Sequence, residues 1–83
     1  MSDTLERMRR DPQANWTIRD VKRLCRQFGV DCQPPRAGGS HYKVCHASQK
    51  EILTIPFRRP IKPVYIRKFV EFIDAVESLD EHS

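Results

Sequence analysis

From Ile18 to Phe28 the apolar residues fall three and four positions apart, at Ile18, Val21, Leu24, Cys25 and Phe28, with Arg19, Lys22, Arg23, Arg26 and Gln27 between them. That spacing is one buried helical face with a charged face opposite. Both ends of the helix are marked: Thr17 is an N-cap with Asp20 as its capping-box partner, Trp16 is placed to staple onto Val21, and Gly29 supplies the stop. A shorter helix is predicted from Asp3 to Arg10, where Leu5 and Met8 share one side and Asp11-Pro12 ends the pattern. Residues 1–15 read as a helical appendage followed by a polar connector.

After Gly29 the period changes to two. Val30 to Gln33 is a short strand cut by Pro34-Pro35, a pair that has no place in a central ladder. Tyr42 to Ala47 and Glu51 to Phe57 are predicted as a hairpin around Ser48-Gln49-Lys50. In the first strand Tyr42, Val44 and His46 share a face opposite His41, Lys43 and Cys45; in the second, Leu53, Ile55 and Phe57 oppose Ile52 and Thr54. Pro60 and Pro63 bracket a basic loop, Arg58-Arg59-Pro60-Ile61-Lys62, and Pro63 suits the first turn of a closing helix. Its stripe is Ile66, Phe69, Val70 and Ile73, widened by Phe72 and Val76. The expected class is α+β, a three-stranded antiparallel sheet packed on two helices, with a short extra N-terminal helix.

A chain of 83 residues bounds this to one small domain whose core is thin for its surface. Its 39% hydrophobic content is high enough for a folded chain. No apolar run approaches the roughly 20 residues of a membrane span, and Asp3 and Glu6 stand where a signal peptide has a basic segment. The expectation is a cytoplasmic protein with no membrane partner. Cys25, Cys32 and Cys45 are odd in number and without paired spacing, so they read as reduced, mostly buried thiols. A zinc site from Cys32, Cys45 and His46 lacks both a CxxC or CxxH pair and a fourth ligand, so no metal is expected. All Lys and Arg residues precede Glu71, and Glu51 is the one acid between Cys32 and Val70. Such a stretch attracts polyanions, while residues 80–83 close an acidic tail.

The chemistry concentrates in Arg36-Ala37-Gly38-Gly39-Ser40-His41-Tyr42-Lys43. Two glycines before a polar residue serve either as a tight turn or as a cradle of amide N–H groups for a phosphate. His41 is the side chain able to exchange a proton near neutral pH, between the charges of Arg36 and Lys43. His46 lies on the opposite strand face and His82 in the tail, so both read as structural or solvated. Ser40 has no Ser-His-Asp spacing that would make it a nucleophile.

Taken in order, the helix from Thr17 to Phe28, the Gly29-Val30 turn, Arg36-x-Gly-Gly-Ser-His41, Thr54-Ile55-Pro56 and Ile61-Lys62-Pro63 resemble the HicA toxins of toxin–antitoxin pairs. The resemblance runs from about Trp16 to Val76 and makes residues 16–79 a HicA-like domain. It implies a compact α-β-β-β-α domain similar to a double-stranded-RNA-binding fold, acting as a cofactor-free mRNA interferase and silenced by a HicB antitoxin protein. The family's catalytic histidine falls on His41, and its neighbouring glycine and serine fall on Gly39 and Ser40. Three features depart from the family's pattern: Pro34-Pro35 precedes the motif, the first fourteen residues lie outside the minimal domain, and Phe57-Arg58-Arg59 follows Pro56 where many members carry a histidine.

The expected activity is metal-independent endoribonuclease cleavage of mRNA, in which a 2′-hydroxyl attacks the adjacent phosphate and His41 transfers the proton. Arg36, Gly39, Ser40, Lys43, Arg58, Arg59 and Lys62 are the expected RNA contacts. The competing reading is a non-catalytic RNA-binding module with the same fold. A DNA-binding accessory role would call for a helix-turn-helix pattern that the chain lacks.

Overall fold

The computed structural model describes residues 3–82, with side chains described through Ser78. The elements are α1 (Asp3–Arg10), α2 (Ile18–Phe28), β1 (Asp31–Gln33), β2 (His41–Cys45), β3 (Leu53–Pro56) and α3 (Pro63–His82). α2 begins where the sequence places it. Thr17 is extended (φ −122°, ψ 167°), and its backbone N–H donates to the Asp20 carboxylate at 2.9 Å, satisfying a group the helix leaves unpaired. The helix ends at Gly29, whose φ of 69° is left-handed. There the Val30 N–H donates back to the Cys25 carbonyl at 2.8 Å, the long bond of a Schellman turn, and Val30 enters the core.

The sheet is antiparallel in the order β1-β2-β3. Register puts Cys32 opposite Val44 and Val44 opposite Leu53, with Tyr42 opposite Ile55, so these residues share the helix-facing side. Val44 and Ile55 are fully buried there. His41, Lys43 and Thr54 stand exposed on the other face. α2 packs along β1 and α3 along β3. The expected class, an α+β domain with a three-stranded antiparallel sheet, is therefore what the chain forms. No helix among the described residues is long and apolar enough to cross a membrane.

Two local readings differ from the expectation. The hairpin connection is residues 46–52, not three residues, because local bonds win over the ladder: the Ser48 N–H donates to His46 Nδ1 at 3.0 Å and the Gln49 N–H to the His46 carbonyl at 3.0 Å. The N-terminal helix does not stand apart as an appendage. Leu5 and Met8 are 4% and 0% exposed within the same core as Val21, Leu24, Phe69 and Ile73, and α1 lies against α3 and α2. Arg9 adds a two-pronged pair to Asp74 of α3, at 2.5 and 3.0 Å.

Replacing Met8 with alanine should therefore cost about 2–5 kcal/mol, the usual loss for emptying a buried methionine site. Arg9→Ala should cost less than about 1 kcal/mol, because the ion pair is solvent-exposed. Urea unfolding of the two variants checks this, and an unchanged midpoint for Met8→Ala would show that α1 is dispensable to the core.

Candidate functional site

Residues 36–41 form a turn that delivers His41 to the first position of β2. The Gly39 N–H donates to the Arg36 carbonyl at 2.7 Å, and Gly38 supplies the positive φ of 82° at the third position of that turn. Gly39 is favoured for a different reason: a Cβ there would stand a tight 3.0 Å from the Arg36 carbonyl oxygen and 3.0 Å from Pro35 Cβ. Of the two readings of the glycine pair, the tight turn is the one present. The Gly39 N–H is committed to it and is not directed at a ligand, so Gly39 acts by shaping the approach to Ser40 and His41.

His41 pairs with Pro56 in register, and the ladder extends one step further through the Phe57 N–H, which donates to the Ser40 carbonyl at 3.3 Å. That bond ties the glycine turn to the start of the basic loop. The loop's other end is held by Ile61, which is 2% exposed and whose N–H donates to the Trp16 carbonyl at 2.9 Å. Trp16 is itself buried, its indole N–H donating to the Asp11 carbonyl at 2.8 Å. Arg58 and Arg59 are thus carried on a segment fixed at both ends, with a cis peptide between Arg59 and Pro60.

The result is a cleft of about 510 Å³ in which His41 and Pro56 face Arg58, Arg59, Lys62 and Tyr65. A second groove of about 440 Å³ also borders the histidine, bounded by Pro34, Arg36, Gly39, Ser40 and Lys43. His41 and every expected RNA contact line one groove or the other. His41 lines both. One lining residue had no signal in the sequence: Gln13 lay in what read as a connector, with no pattern to mark it. Tyr65, beside the buried stripe, takes the rim position expected of an aromatic with a polar tip.

The His41 ring is exposed, with Nδ1 2.9 Å from Ser40 Oγ. A hydroxyl can donate to that nitrogen or accept from it, so this one contact supports either tautomer. Nε2 has no hydrogen-bond partner among the described residues. It is available as base or acid. His46 is engaged differently, its Nδ1 accepting from the Ser48 N–H and lying 2.7 Å from Ser48 Oγ, which makes it a clasp of the hairpin loop. The side chain of His82 lies outside the described residues.

The surroundings are cationic. Among the described residues, Arg9 is the one Lys or Arg with a carboxylate within 4 Å. Lys22 Nζ stands 5.8 Å over the Tyr42 ring, and Phe57 meets the same ring edge-on at 5.8 Å, so α2 is joined to β2 beside His41. The thiols sit toward the opposite end of β2, where Cys45 pairs with Asp31 in register. All three are free. A hydrogen bond from Cys25 and the Lys22 charge draw the Cys32 thiol below its ordinary range, while that bond and burial push Cys25 up. Among the described residues no three His, Cys, Asp or Glu side chains gather as metal ligands.

No protein-family model, curated protein or solved structure matches the chain.

Because Ser40 Oγ is the one hydrogen-bond partner of the His41 ring among the described residues, Ser40→Ala should change the tautomer balance and 15N shifts of His41 while leaving those of His46 in place. Imidazole 15N NMR reads both rings at once. Unmoved His41 shifts would show that the hydroxyl does not orient it.

Proposed function

We propose that this chain is a HicA-type toxin, a metal-independent endoribonuclease that cleaves mRNA through His41. The observation that carries the reading is the placement of His41 on the rim of two cation-lined grooves, with one ring nitrogen held by Ser40 and the other open. RNA contains its own nucleophile, so the protein's task is proton transfer and charge stabilisation. The open Nε2 takes the 2′-hydroxyl proton or gives one to the departing 5′-oxygen, a role worth about 10²–10⁴ in rate. Arg58, Arg59 and Lys62 on one side and Arg36 and Lys43 on the other meet the negative charge that grows on the phosphate.

The succession α2-β1-β2-β3-α3, with helices on one face of an antiparallel sheet and the other face open, supports a fold of the double-stranded-RNA-binding type. The same reading implies a cytoplasmic protein covered by a HicB-like partner. An acidic inhibitor fits a groove surface whose cations have no carboxylate partner among the described residues, and it would meet them fastest at low salt.

His41→Ala should fold as the parent does and cleave RNA at least about a hundredfold more slowly. EDTA should leave the parent's rate as it was. Cleavage of labelled RNA followed on gels tests both, and full activity in His41→Ala would sink the mechanism in favour of a binding module.

For the partner, the expected result is loss of His41 modification by diethylpyrocarbonate when the cognate acidic protein is bound. A complex that leaves His41 reactive and cleavage intact would remove the inhibitor from the reading.

A further inference from the structure

The two grooves share no residue except His41. One is walled by the fixed loop carrying Arg58, Arg59 and Lys62, the other by the glycine turn with Arg36 and by Lys43 of β2. The histidine is therefore where the linings of the two cationic troughs meet, a position that can serve as a ridge between them. Each trough offers charge to a phosphodiester backbone, and none of its cations is occupied by a protein carboxylate among the described residues.

We infer that the substrate is single-stranded RNA that crosses the His41 ridge, with the nucleotides before the cut in one groove and those after it in the other. This rests on the endoribonuclease reading above and adds the path and the strand class. The chemistry requires the bend. Attack by a 2′-hydroxyl needs the attacking oxygen, the phosphorus and the leaving oxygen in line, an arrangement the stacked A-form helix withholds. A strand held on both sides of a ridge and turned at its crest can adopt it at the phosphate beside Nε2. A duplex is too stiff to enter two troughs on either side of one side chain, and its bases are not free to splay.

The test uses an RNA of about a dozen nucleotides whose cut position has been mapped with the parent protein, made non-cleavable by one 2′-deoxy residue at that position. Binding is measured against salt for the parent, for Arg36→Gln with Lys43→Gln, and for Arg58→Gln with Arg59→Gln. Each double variant should lower the slope of log K on log salt by about 1.4 on the full strand, at about 0.7 per single-strand phosphate contact. Trimming the strand on one side of the cut should make one double variant indistinguishable from the parent and leave the other impaired. Trimming the other side should reverse the two. If both variants respond to the same arm, or if a blunt duplex of the same sequence binds more tightly than the strand, the two-groove path is wrong. In that event continued cleavage by the parent and its loss in His41→Ala would leave the nuclease reading standing. If the parent cuts no RNA and binds none, both fall together.

Discussion

Burial of one stripe of α3 is the constraint on which everything else rests. Ile66, Phe69, Val70, Ile73 and Val76 are all at most 5% exposed, and α1, α2 and β3 each lie against that helix. A chain this short has no second core to fall back on. Each such side chain contributes on the order of 1.5–3 kcal/mol, set against about 1–2 kcal/mol of backbone entropy for every residue ordered. The margin is narrow enough that every element has to share the same apolar surface. α1 shares it through Leu5 and Met8, which is why a helix of eight residues is held at all.

The segments that carry the candidate chemistry lie outside this core and are positioned by attachments to it. The glycine turn is closed by its own hydrogen bond and joined to β3 through the Phe57 N–H; the basic loop is held by buried Ile61 and its bond to the Trp16 carbonyl. Trp16 therefore serves twice. It packs at the start of α2 and fixes the far end of the loop that brings Arg58 and Arg59 to His41. A surface histidine held this way keeps a defined position without being buried, so its ring stays open to a ligand.

Electrostatically the molecule is divided. Arg9 is neutralised by Glu6 and Asp74 on the α1–α3 side, where Glu71 also lies, whereas among the described residues the cations around the grooves and along α2 have no carboxylate within 4 Å. Concentrated like charge costs stability through self-repulsion. Its retention around the two grooves fits the polyanionic ligand of the proposed reading, which would relieve that repulsion on binding.

How much of this was legible follows from the range of each interaction. α2 was readable to the residue because Thr17, Asp20 and Gly29 act within a few positions of themselves, and the stripe of α3 was readable because helical period is local. Alternation marked the strands, and the core face proved to be the one bearing Val44 and Ile55. The candidate residues were visible as types, His41 among cations, but their grouping was not. Nothing in the order of residues says that Arg36 and Arg58 line different grooves that share His41, that Gln13 joins the cleft, or that the Gly39 N–H turns inward. Those facts depend on antiparallel register and on a buried Ile61–Trp16 anchor that connects positions 45 residues apart in the chain. Local propensities are written in neighbouring residues and can be read there; the site is made by contacts between distant ones, and only the packed core brings them together.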